Sequence, residues 1–241
     1  MSRPAGRSKI NDGFRMRGLE VTRLEGFSDA VFGFALTLLV VSLDVPKNFS
    51  DLLATMRGFP AFAVCFTLLV LVWNAHYNFC RRYGLQDTTA RVLTCILLFL
   101  ILFYVYPLKF LFSASFNISF HSRQVSDSTS MTGRELSLLL TIYGLGFAAV
   151  YLALALLYRH AYSLRDELGL SEIERLDTRH FMGRFFGMVA VGLIAALLAQ
   201  IRGLVTYAGL FYLLLFPFLR WQRALHHRRR APLLAAESSP R

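Results

Sequence analysis

Six long apolar runs dominate the chain, each bounded by arginines or by Gly, Pro and polar residues. They cover residues 24–43, 59–79, 92–112, 136–158, 185–201 and 204–219. None keeps the polar/apolar alternation of a half-buried strand. About 20 apolar residues in a helix cross a hydrocarbon core of about 30 Å, so the pattern predicts an all-α, polytopic protein with six transmembrane helices. The last two runs are the shortest and barely cross at about 1.5 Å per residue. A single re-entrant hairpin is the alternative for that pair.

The segments between the runs predict the rest. Residues 1–22 are polar and basic, include Gly13 and Gly18, and read as a loose N-terminal segment. Residues 23–220 form the membrane domain, and residues 221–241 form a basic tail that then loses structure. Pro60 suits the first turn of the second helix, and Pro107 is a candidate kink in the third. Residues 117–133 form the longest external loop. In residues 162–180, Leu164, Leu168, Ile173 and Leu176 sit among charges, which reads as a short amphipathic connector at the membrane surface.

Composition narrows the class. Hydrophobic residues make up 55% of the chain and charged residues 17%, with a mean hydropathy of +0.48. A soluble domain carries about 25% charged residues to cover its surface, so the shortage of charge excludes one. The net charge of +11 would suggest nucleic acid in a soluble protein. Here the arginines flank apolar runs, which excludes a nucleic-acid partner and points to orientation in lipid. Of the 26 lysines and arginines, 20 fall on one side of a six-span arrangement. Lys47, Arg57, Lys109, Arg123, Arg134 and Arg202 fall on the other. The positive-inside rule then places both ends in the cytoplasm, in a multi-pass protein surrounded by membrane lipids. No short apolar stretch with a small-residue cleavage site occurs near the beginning, so no cleaved leader is predicted. The cluster His226, His227, Arg228, Arg229, Arg230 is basic enough to meet anionic lipid, although orientation alone accounts for it.

Candidate chemistry is sparse. Cys65, Cys80 and Cys95 lack metal-ligand spacing and read as small buried hydrophobes, so no metal or other cofactor is expected. His76 and His160 lie several runs apart, and neither H-E-x-x-H nor G-x-S-x-G occurs, so the chain is not read as an enzyme. The segment Thr141-Ile-Tyr143-Gly144-Leu-Gly146 has the wrong order for a carbonyl-lined potassium filter and lies inside an apolar run. Its glycines suit close helix packing.

The first run differs from the others because its start is polar, with Arg23, Glu25, Ser28 and Asp29. A carboxylate within the bilayer costs about 2.5–3.5 kcal/mol even on insertion scales. Arg23 and Asp29 are six residues apart and lie on different faces, so Asp29 needs a partner from another helix or subunit. The second run offers Trp73, Asn74, His76 and Asn78 at the matching depth. A network of Arg23, Ser28, Asp29, Trp73 and His76 is therefore expected, locking helices together rather than performing catalysis or proton relay. Farther along, Phe34, Leu38 and Val41 form an i, i+4, i+7 stripe with Thr37 beside it, which by spacing alone is ordinary helix packing.

The stretch Arg23-Leu-Glu-Gly-Phe27-Ser28-Asp29 fits R-x-x-x-F-S-D on a first transmembrane helix, followed by Leu43-Asp44-Val45-Pro46. The second run adds Trp73-x-x-His76-x-x-Phe79. Together they resemble the signature of the transmembrane protein 175 family of potassium channels, found in bacteria and in lysosomes. The resemblance is carried by residues 23–46 and 73–79, and the remainder matches in hydropathy alone. It implies a leak-type, potassium-selective channel in a bacterial inner membrane. It also implies a homotetramer, because one R-x-x-x-F-S-D copy is present, with the first helices lining a central pore. Phe34, Leu38 and Val41 then correspond to the constriction layers and Thr37 to the neighbouring threonine. The first layer is usually Ile or Leu, so Phe34 is a departure that bears on selectivity. A secondary transporter or a proton-permeable cation pathway is the alternative. A transporter, however, calls for mid-membrane ionisable residues or internal repeats, and the later runs have almost none.

Overall fold

The structure is a computed structural model and describes residues 10–11, 14–41, 47–57, 59–120, 132–201 and 204–238. Within them, a short antiparallel pairing of Ile10–Asn11 (β1) with Phe14–Arg15 (β2) precedes eight helices. These are α1 (Arg23–Val41), α2 (Phe49–Arg57), α3 (Phe59–Tyr83), α4 (Thr88–Phe120), α5 (Gly133–Ser163), α6 (Glu172–Gln200), α7 (Val205–Leu210) and α8 (Leu215–Ser238). Among the described residues, four segments are long and apolar enough to cross a membrane: Phe62–Tyr83, Thr88–Val105, Gly133–Ser163 and Glu172–Gln200. The protein is thus a multi-pass, all-helical membrane protein. α1 has 19 residues and carries Arg23, Glu25 and Asp29 in its first two turns, which sets it apart from those four.

α5 and α6 form the central hairpin. Each begins with a reciprocal capping box, Thr132 with Glu135 and Ser171 with Glu174, which satisfies amides that a helix start leaves open. Gly169, at φ +57°, makes the turn between them. Midway along the hairpin, a β-carbon on Gly144 would lie 2.7 Å from the Gly192 carbonyl oxygen, and one on Gly192 would lie 2.8 Å from the Gly144 carbonyl oxygen. The backbones therefore touch where the filter-like segment lies. At the far end Ser137 donates to the Ala199 carbonyl at 2.6 Å and Gln200 to Thr141 at 2.9 Å. α4 packs on this hairpin, and α1 packs on α3 and α4.

Four expectations change. The surface connector at residues 162–180 is not a separate element. α5 ends at Ser163 and α6 begins at Glu172, because the Ser171 capping box starts the helix well ahead of its apolar part. The sixth run is not one helix either: α7, a 3-10 turn over Phe211–Leu214 and α8 divide it. Pro217 explains the break, since its ring cannot accept a helical residue four positions earlier and fits the first turn of a new helix. The tail expected to lose structure is helical to Ser238. α4 reaches Phe120, into the expected loop, while residues 121–131 lie outside the described residues, as do Asp44 and Pro46.

The N-terminal segment was expected to be loose, yet its described part is docked. Phe14 is buried against Tyr83 at 5.7 Å, edge to face. Arg82 lies between two rings, 5.0 Å from Phe14 and 4.5 Å from Phe181. Arg17 grips Glu174 through both guanidinium ends, at 3.0 and 2.7 Å. The amides of Arg17 and Gly18 donate to the Arg81 carbonyl. Gly18 is required here, because a β-carbon would collide with the Cys80 carbonyl. The signal lay in single residues, Phe14, Arg17 and Gly18, within a segment whose average polarity masked them.

Candidate functional site: the first helix and its polar anchor

α1 has two faces. Glu25, Ser28, Phe32, Ala35 and Leu39 recur at three- and four-residue steps and are all buried. The opposite face carries Arg23, Phe27, Ala30, Phe34 and Thr37, all exposed. Phe27 is 55% exposed and Phe34 59%. Leu38 lies at the margin, half-buried, and Val41 is the last residue of α1. Thr37 turns its hydroxyl inward, donating to the carbonyls of Gly33 and Phe34 at 2.9 and 2.8 Å. A β-carbon at Gly33 would meet nothing within 4 Å, so the protomer leaves this side of α1 uncovered.

The polar start of α1 is held from α3. Trp73 donates its indole N–H to Asp29 at 2.8 Å. Glu25, only 3% exposed, pairs with Arg81 at 3.2 Å. Arg81 also donates to the Gly18 carbonyl at 3.0 Å and lies 5.3 Å from the Tyr77 ring. One guanidinium therefore joins the N-terminal segment, α1 and α3.

The expected five-residue network separates into parts. Ser28 is fully buried and donates to its own helix, to the Leu24 carbonyl at 2.8 Å. His76 is buried under α1, 6.4 Å from the Phe32 ring, and its Nε2 meets the Thr94 hydroxyl of α4 at 3.3 Å. It sits 3.8 Å from the Cys80 sulfur through the same nitrogen. Arg23 is exposed and makes no ion pair among the described residues. Glu25 stands out in the sequence but its partner does not. The i, i+4 spacing rule does not reach between helices, and in sequence Arg81 reads as an orientation charge.

Between α3 and α4, Asp87 caps α4 by accepting from the Thr89 and Ala90 amides at 3.1 and 3.4 Å, and pairs with His160 at 2.8 Å. Burial pushes its carboxyl up, but His160 and the two amides outweigh that and hold it below the ordinary value. Among the described residues, no group of three or more His, Cys, Asp or Glu is arranged to hold a metal.

Residues 23–107, from the start of α1 into α4, match the model of the family described as "Endosomal/lysosomal potassium channel TMEM175". A protein named "Potassium channel" from Marivirga tractuosa is 39% identical over 199 residues, 80% of each chain. The chain belongs to the TMEM175 family. A crystal structure of a variant of the potassium channel MtTMEM175, bound to a nanobody–MBP fusion protein, superposes with a TM-score of 0.80 at 35% identity. It spans 91% of this chain and 99% of its own, so the TMEM175 fold extends beyond the matched signature into α5 and α6. A potassium channel of Chamaesiphon minutus is 30% identical over 96 residues, covering 36% of this chain and 47% of its own. Every site residue named from the sequence, from Arg23 to His76, falls inside the region that the TMEM175 model matches.

Proposed function

We propose that this chain is a potassium-selective, leak-type cation channel of the bacterial inner membrane. It acts as a homotetramer in which four copies of α1 surround a central pore. Each protomer spans the membrane six times, with α1 and the α7–α8 pair adding to the four long apolar segments. Both ends are cytoplasmic, as the distribution of arginines favours. The observation that carries the reading is the two-faced α1, anchored on α3 and α4 along Glu25, Ser28, Phe32, Ala35 and Leu39 and uncovered along Phe27, Phe34 and Thr37. A helix at the centre of an assembly needs such a second face. The related proteins named as potassium channels give the ion.

In this reading Phe34, Leu38 and Val41 form successive apolar layers around the axis, with Thr37 between the first two. A ring of apolar side chains closes a pore by excluding water. Four phenyl rings at Phe34 also offer π-faces to a dehydrated cation, about 0.5–2 kcal/mol each in suitable geometry. Asp29, Trp73 and His76 position α1 against α3 and α4, Ser28 closes onto its own helix, Arg23 stands on the exposed face, and none of them does chemistry on the ion. The decisive experiment is reversal-potential measurement on the purified protein in planar bilayers. Under opposed potassium and sodium gradients, the potential is expected to move toward the potassium equilibrium value. A zero-current potential that ignores the potassium gradient, or flux strictly coupled to protons or sodium, would sink the reading in favour of a transporter.

A further inference from the structure

α8 has two unlike sides. One is fastened to α6: His226 meets Asp177 at 2.8 Å, Arg230 meets the same carboxylate at 3.4 Å, and the His226 ring stacks on His180 at 4.1 Å. Asp177 is buried, so this contact fixes the rotation of α8. The opposite side then presents Arg220, Trp221, Ala224 and Arg228, all exposed, flanked by exposed Arg223 and Arg229. Trp221 is 62% exposed. The only acidic residue in α8 is Glu237, near its far end. Arg220 and Trp221 stand where the apolar run ending at Leu219 gives way to the basic stretch. Arg228 follows about 12 Å along the helix.

We infer that this outward side of α8 is a binding site for anionic phospholipid headgroups, with Trp221 seated at the level of the headgroups, Arg220 and Arg223 holding the phosphates, and Arg228 and Arg229 farther along the helix adding to the attraction. The inference rests on the proposed sixth span, which brings Arg220 to the membrane surface. An amphipathic indole settles at the boundary between acyl chains and water. A guanidinium forms paired hydrogen bonds with phosphate oxygens, and a basic segment beside the membrane is drawn to anionic lipid. Because His226 and Arg230 are engaged with Asp177 on the inner side, the basic tail is divided. Part of it holds the helix to the protein, and the remainder faces lipid.

The test uses full-length protein reconstituted in phosphatidylcholine vesicles containing either brominated phosphatidylglycerol or brominated phosphatidylcholine at equal mole fraction. The chain has two tryptophans, so the Trp221 signal is the difference between wild type and Trp221→Phe. Brominated phosphatidylglycerol is expected to quench Trp221 in preference to brominated phosphatidylcholine. In R220Q/R228Q the preference should fall by about fivefold for each arginine removed, while R91Q/R159Q, which removes equal charge elsewhere, keeps it. Equal quenching by both lipids would overturn the inference, as would equal loss in the two double variants. Loss of the preference on adding inorganic phosphate at constant ionic strength would show a free-anion site and overturn it as well. Potassium flux through the same vesicles separates the two claims. Flux without lipid preference defeats this inference alone, whereas lipid preference without flux defeats the channel reading.

Discussion

Trp73 on α3 hands its indole N–H to Asp29 on α1 at 2.8 Å, a direct side-chain hydrogen bond between the two helices. Asp29 is exposed in the protomer, so the bond contributes at the low end for a charged acceptor, about 1.5 kcal/mol. Trp73→Phe keeps the ring and removes the donor. It is expected to lower thermal stability, followed by fluorescence-detected size exclusion, by a few degrees. Asp29→Asn keeps an acceptor and should lose less. Equal losses in both variants would mean that the charge rather than the bond matters.

The buried pair Glu25–Arg81 has more at stake, because Glu25 is 3% exposed and lies 3.2 Å from its partner. Removing one member of a buried pair strands the other, at about 3–5 kcal/mol. Glu25→Ala is therefore expected to reduce sharply the recovery of folded protein on size exclusion. The double variant Glu25→Ala/Arg81→Ala should recover part of it, because no unpaired charge remains at that pair. A strictly additive double-mutant cycle would contradict the coupling.

The apolar helices α1, α3, α4 and α5 and the polar nature of the α1 start were legible in the sequence because hydropathy and length report them directly. The R-x-x-x-F-S-D stretch also pointed to the family, which the 39% identical relative shows. Three things were hidden, each for a physical reason. The docking of Phe14 and Arg17 depends on contacts with Arg82 and Glu174, far apart in sequence, which local polarity does not encode. The α6 start depended on one capping box, Ser171 with Glu174, inside a charge-rich stretch that resembled a surface segment. The division of the proposed network depended on rotations about helix axes. Ser28 and Asp29 are neighbours in sequence, yet Ser28 is buried against its own backbone while Asp29 faces Trp73.

The glycine contact in the α5–α6 hairpin should tolerate no larger side chain. A β-carbon on Gly144 would sit 2.7 Å from a backbone carbonyl, and the helix backbone cannot yield as a side-chain tip does. Gly144→Val and Gly192→Val are each expected to destabilise by about 1–3 kcal/mol, seen as aggregation during purification. Gly133→Ala, where nothing lies within 4 Å of the new atom, serves as the tolerated control. Wild-type yield from both valine variants would mean that the helices cross elsewhere.

Asp87 links stability to pH. Its carboxyl titrates below the ordinary value of 3.8, because His160 and the capped amides favour the charged form over the effect of burial. A depressed carboxyl contributes stability that is fully present above the ordinary value and is lost as pH falls through the folded one. Asp87→Ala is thus expected to be less stable than wild type at neutral pH, with the gap narrowing below about pH 4. Melting temperatures of both proteins across acid pH check this. A gap that widens on acidification would reverse the assigned sign.

Phe34 bears on the proposed pore. In the protomer its ring is 59% exposed on the uncovered face of α1, so truncation removes little internal packing and folding should survive. If four such rings form the narrowest apolar layer, Phe34→Ala widens it and admits water, which lowers the barrier to ion entry. A barrier reduction of about 1.4 kcal/mol raises flux roughly tenfold, well within the reach of a potassium-flux assay in liposomes. Phe34→Leu, which places a branched aliphatic there, should leave flux near the wild-type level and shift the potassium-to-sodium preference instead, because the π-faces are gone while the apolar layer remains. The two variants separate steric closure from cation–π attraction. Unchanged flux and unchanged ion preference in both, with the tetramer intact, would place the constriction away from Phe34.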